Sequence, residues 1–102
     1  FVGSIPSTYG NWTSLFEFDI GGNFITGSIT DGFGASGILT MFSVPNNQLT
    51  GTIPTYFGQI LSLTVLEFQD NKFTGILPNI FKLPFLLIIS FNTNWFTGSL
   101  PV

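Results

Sequence analysis

Glycine recurs along this chain at one fixed interval. Gly3, Gly27, Gly51, Gly75 and Gly98 stand 24, 24, 24 and 23 residues apart. A period of this size marks a repeat architecture, in which each unit buries its apolar face only by stacking on its neighbours. The apolar residues keep the same beat. In residues 63–78, LTVLEFQDNKFTGILP, Leu63, Leu66 and Phe68 are separated by three and then two positions. The two-residue step is strand alternation, so Leu66 and Phe68 face one side and Glu67 and Gln69 the other. Leu15, Phe18 and Ile20, then Leu39, Phe42 and Val44, then Leu86, Ile89 and Phe91 repeat the pattern.

Each unit also carries an asparagine three residues after its last strand position: Asn23, Asn47, Asn71 and Asn94. A polar residue fixed at one place in every coil predicts a ladder of buried amides bonded to the turn backbone. Asn has the donors and the acceptor for that role, and a buried amide without partners is costly.

The resulting pattern, L-x-x-L-x-L-x-x-N-x-L, resembles the leucine-rich repeat. The continuation Thr-Gly-x-Ile-Pro-x-x-Phe-Gly resembles its plant-type, mostly extracellular subclass. The resemblance runs through the whole chain. It implies a curved, right-handed leucine-rich-repeat solenoid with a parallel inner β-sheet, about four repeats and a partner-binding inner face. The repeats fall at about residues 3–26, 27–50, 51–74 and 75–97, with partial repeats at both ends of a single domain spanning 1–102. The chain therefore reads as a fragment of a longer array. The family's terminal caps usually carry paired cysteines, and this sequence has none. The resemblance also implies an extracellular or cell-surface location. There Asn11-Trp12-Thr13 would be a glycosylation acceptor, although an Asn- and Thr-rich chain also meets this pattern by chance.

The outer arcs, rich in Gly and Pro, are too short for long helices. They predict irregular segments with short 3₁₀ turns and a second short strand at each Gly-x-Ile-Pro. Gly32-Phe-Gly34-Ala-Ser-Gly37 spells G-x-G-x-x-G, but a dinucleotide loop needs an acid about 20 residues on, where this chain has Phe57. The register instead puts Phe33 in the apolar slot shared by Tyr9, Phe57 and Phe81.

Composition narrows the functional classes. Hydrophobic residues make up 44% of the chain and charged ones 7%, which excludes a disordered segment. Lys72 and Lys82 are the only cations, so no basic patch exists for a nucleic-acid backbone. The longest apolar run, 83–89, contains Pro84 and is too short to span a membrane. Without His or Cys there is no His-based triad and no Cys or His metal ligand. Glu17 and Asp19 share a strand face at a spacing compatible with paired carboxylates. An open sheet offers no cleft to raise the pKa of one of them. A sugar-cleaving parallel β-helix is the rival fold, and the Asn-x-Phe-Thr-Gly-x-Ile-Pro run argues against it. No enzyme activity and no cofactor are expected.

The outward positions of the inner strands fall in columns. One holds Phe16, Thr40, Thr64 and Leu87, the next Glu17, Met41, Val65 and Ile88, and the central one Asp19, Ser43, Glu67 and Ser90. Beyond them lie Gln69 and Asn92, then Asp70, with Phe24, Gln48, Lys72 and Trp95 at the fringe. A merely solvated sheet would be polar here; this one mixes carboxylates with large apolar side chains, as a binding surface requires. The expected site is therefore Phe16, Glu17, Asp19, Met41, Ser43, Val65, Glu67, Gln69, Asp70, Ile88, Ser90, Asn92 and Trp95, recognising a protein or peptide with basic or hydroxyl-rich groups. Receptor ectodomains and enzyme-inhibitor proteins are models for such a role. The alternatives are a carbohydrate-binding surface, an ice-binding surface built on the column Thr26, Thr50, Thr74 and Thr97, and a structural or adhesive repeat segment.

Overall fold

The computed structural model describes residues 2–5, 15–29, 33, 38–80 and 82–97. They form a parallel solenoid with two ladders of strands. In the first ladder β2 (Glu17–Asp19), β4 (Met41–Ser43), β5 (Val65–Glu67) and β7 (Ile88–Ser90) pair in chain order. Glu17 faces Met41, Met41 faces Val65 and Val65 faces Ile88, offsets of 24, 24 and 23 residues. The sequence period is thus the pairing register of this sheet. Phe18, Phe42 and Leu66 at the strand centres are buried between the flanking outward residues.

The second ladder joins β1 (Val2–Ser4) to β3 (Phe24–Thr26) and β6 (Thr74–Gly75) to β8 (Trp95–Phe96). The Thr50 amide bonded to Gly27 O and the Thr74 amide bonded to Gly51 O, both at 2.8 Å, continue it through the middle coils. The second strand was expected at each Gly-x-Ile-Pro. Pairing does reach the start of that motif at Gly3-Ser4, Thr52 and Gly75, but β3 and β8 lie wholly before the glycine, and in β3 alternation already turns Ile25 inward and Phe24 and Thr26 outward.

Its register also differs. Val2 faces Phe24, Thr52 faces Thr74 and Thr74 faces Trp95, offsets of 22, 22 and 21. Each partner falls two residues short of the equivalent position in the next coil. On the first sheet, equivalent residues sit one strand spacing apart, about 4.8 Å; on the second, the added two-residue stagger separates them by about 8 Å. The two sheets thus differ in shear: like residues lie straight across the first and run obliquely over the second.

Between the ladders the chain turns through one left-handed residue per coil. Gly22, Asn46, Asp70 and Thr93 occupy the same repeat position with φ of 72°, 56°, 60° and 56°. Gly and Asn suit this region and Asp tolerates it; a β-branched Thr is strained there.

The asparagine ladder clamps these corners. Asn47 Nδ2 lies within donating distance of Ile20 O, Val44 O and Pro45 O, and Asn47 Oδ1 accepts the Ile25 amide. Asn71 repeats the arrangement with Val44 O, Phe68 O, Gln69 O and the Leu49 amide. Asn94 does so with Phe68 O, Phe91 O, Asn92 O and the Phe73 amide. Asn23 donates to Ile20 O and Gly21 O. Each of the three later amides ties its own corner to the previous coil.

Aromatic rings fill the interior. Phe42 is fully buried and lies 5.3 Å from Phe18, 5.0 Å from Phe33, 4.8 Å from Phe57 and 6.2 Å from Phe68, centroid to centroid. These are edge, tilted and stacked arrangements that aromatic pairs favour. Phe33 and Phe57 occupy the outer-arc slot predicted for them. The other members of that column, Tyr9 and Phe81, lie outside the described residues, as do Asn11, Asp31 and the glycines 32, 34 and 37. The outer arc of the third coil is a short 3₁₀ helix, Thr55–Gln59, opened by Pro54.

Candidate binding face

The inner sheet presents two rows of outward side chains, set by the register just described. One row runs Glu17, Met41, Val65, Ile88 and the other Asp19, Ser43, Glu67, Ser90. Neighbours within a row are adjacent across the sheet, so the side chains of each row act together. Glu17, Asp19 and Ile88 are exposed, and Met41, Val65, Glu67 and Ser90 are half-buried. Phe16 directly precedes β2, 56% exposed, while its carbonyl accepts from the Thr40 amide, the Thr40 hydroxyl and the Met41 amide.

Ser43 lies on this face but is nearly closed off, at 3% exposure. Its hydroxyl donates to Glu67 Oε1 at 3.0 Å. It therefore contributes by holding the carboxylate rather than by meeting a partner itself. Such a fixed carboxylate keeps its second oxygen and remaining lone pairs for an incoming donor. Further along the strands, Ser90 Oγ donates to Asn92 Oδ1 at 3.1 Å, and Asn92 is exposed. Gln69 Oε1 is a buried oxygen with no hydrogen-bond partner. A buried acceptor without a partner is costly, so this oxygen is a strained point in the inner sheet rather than a contact for a partner.

Asp70 stands at the corner in the left-handed turn, exposed, with its amide bonded to Asn92 O and its carbonyl to the Asn47 amide. All four described acids, Glu17, Asp19, Glu67 and Asp70, thus border one face. Among the described residues no group of three or more acidic, His or Cys side chains could hold a metal ion.

Trp95 departs from the expected layout. It belongs to β8 on the second sheet, because the left-handed residue at Thr93 turns the chain away before it is reached. The same corner places Phe24 in β3. The signal for this corner was present in the sequence as the column Gly22, Asn46, Asp70, Thr93, whose first three members are the residue types that adopt positive φ. The Ser43–Glu67 contact and the orphaned Gln69 oxygen had no such signal.

Residues 62–83 match the family model described as Leucine Rich Repeat. No curated protein matches the chain. Among solved structures, a TDR receptor is similar over 98% of this chain and 18% of its own, at 37% identity and a TM-score of 0.90. The plant peptide hormone receptor RGFR1, solved with RGF2, is 32% identical over 98% of this chain and 16% of its own, with a TM-score of 0.91. A plant ice-binding protein is 27% identical over 98% of this chain and 33% of its own, with a TM-score of 0.90. The chain thus spans less than a fifth of either receptor.

Proposed function

Since the chain is a leucine-rich-repeat solenoid with the fold of plant receptor ectodomains, we propose that it is a non-catalytic, extracellular module that binds an extended protein or peptide across its inner sheet. The observation that carries this reading is the segregation of charge: Glu17, Asp19, Glu67 and Asp70 border a face whose remaining anchors include Met41, Val65 and Ile88. Apolar anchors supply affinity, and the carboxylates supply orientation and rate for a basic partner. The structure of RGFR1 with RGF2 supports the peptide class, because that receptor is a structural relative solved with its partner.

The likeness to an ice-binding protein supports a second reading through the threonine column. Here Thr26, Thr50 and Thr74 are staggered by two residues from coil to coil, which favours peptide recognition on the inner sheet over a flat threonine lattice.

An array of short synthetic peptides, basic and acidic in matched pairs, tests the proposal. The chain should retain basic peptides over their acidic counterparts, and Glu67→Lys should reverse or abolish that preference. Gln59→Lys, in the 3₁₀ helix on the outer arc, should leave it unchanged. Equal retention of both peptide classes, or loss with Gln59→Lys alone, would sink the reading.

A further inference from the structure

The second sheet has its own surface chemistry. Its outward positions carry the exposed hydroxyls of Thr26, Ser28, Thr50, Thr52, Thr74 and Thr97, together with Ile76, which stands in the column of Ser28 and Thr52. The pairing sets hydroxyls opposite one another: Ser4 faces Thr26 and Thr52 faces Thr74. The Thr26, Thr50 and Thr74 hydroxyls each lie 3.3–3.4 Å from the carbonyl of Gly3, Gly27 or Gly51 in the preceding coil. Donation to these carbonyls gives the three side chains one repeated orientation and leaves the hydroxyl lone pairs as acceptors.

Charge is nearly absent from this face. Among the described residues of the second ladder only Lys72 is charged, in contrast to the acid-bordered inner sheet. On its second and last described strands stand exposed aromatics, Phe24 at 65% and Trp95 at 62%, each two residues before a threonine on the same side of its strand. Large aromatic rings left open to solvent on a polar, uncharged face are suited to stacking on the apolar face of a sugar ring, while the fixed hydroxyls accept from its OH groups.

We infer that the second sheet is a binding surface for a neutral, extended glycan. The stagger between coils suits a flexible chain laid obliquely over the strands rather than the regular lattice of a crystal face. Phe24 and Trp95 hold the two ends of the bound segment, and the hydroxyl pairs line its path. This site is separate from the inner sheet and stands or falls independently of peptide binding there.

Affinity electrophoresis of the 102-residue chain through gels containing a soluble neutral β-glucan tests it. The native chain should be retarded, and Phe24→Ala and Trp95→Ala should each weaken retardation about tenfold. Trp95→Phe should restore most of it, and Glu67→Lys should not alter it. Circular dichroism of each variant checks that the fold persists. No retardation of the native chain would overturn the inference. So would aromatic variants retarded like the native chain, loss with Glu67→Lys, retardation by polygalacturonate alone, or inhibition of ice growth without glycan retention.

Discussion

Asn71 reaches across a coil boundary to Val44: its Nδ2 donates to the Val44 carbonyl at 2.8 Å. The same side chain closes its own corner through Phe68 O and accepts the Leu49 amide, so one amide binds two coils. Replacing Asn71 with Leu leaves the Leu49 amide without its acceptor, while Val44 O and Phe68 O keep only Asn47 and Asn94. Asn71→Leu should destabilise by about 1–3 kcal/mol. Asn46→Gly, at the exposed left-handed corner, should change stability by only a few tenths. Urea denaturation of the two variants measures the difference.

The left-handed column permits a gain as well as a loss. Thr93 adopts φ 56° with a β-branched side chain. Thr93→Gly removes a strain of about 1–2 kcal/mol against a backbone entropy loss of about 0.5–1 kcal/mol, a net stabilisation of about 0.5–1 kcal/mol. Gly75→Ala should do the opposite, because Gly75 has φ 79° and an added Cβ would lie 2.7 Å from Thr52 Cγ2. A rise in the thermal midpoint for the first and a fall for the second are expected.

Phe42 packs among Phe18, Phe33, Phe57 and Phe68. Phe42→Ala should destabilise by about 3–5 kcal/mol, the range for truncating a buried Phe. Phe85→Ala removes a side chain that is 64% exposed and should stay within about 0.5 kcal/mol. Similar losses for both would show that the ring cluster does not carry the core.

Ser43 separates holding from touching. Ser43→Ala deletes the donor to Glu67 Oε1 at a buried position without adding bulk. Peptide retention should weaken severalfold while stability falls by about 1 kcal/mol. An isosteric Ser43→Cys, a weak donor, should fall between the two in retention. Unchanged retention in Ser43→Ala would show that Glu67 needs no such support.

The inner sheet was legible because burial and pairing obey the same count. Leu66 and Phe42 had to face inward at two-residue alternation, and the 24-residue interval then dictated which residues meet. Asn47 and Asn71 were legible for a related reason, since a polar residue recurring among apolar ones needs partners that the backbone supplies. The second ladder was harder to read. Its register does not follow the repeat period, so no spacing of identical residues announced that Thr52 would face Thr74. Nor did the sequence distinguish Ser43 from Ser90: both sit in one column, but Ser43 lies between two flanking strands and Ser90 on the last strand of the sheet. The corner at Thr93 separated Trp95 from the face to which counting had assigned it.

The unequal registers of the two ladders set different molecular rulers on the two faces. Three strand spacings, about 14 Å, carry a partner from the first described coil to the fourth on the inner sheet, a span covered by about four residues of extended peptide. Following one repeat position through the same coils on the second sheet takes about 24 Å along the stagger, or about seven residues. A short linear motif therefore meets one repeat position in every coil on the inner sheet and only part of that set on the second. Length alone, before any chemistry, sorts which partners each face can read in full.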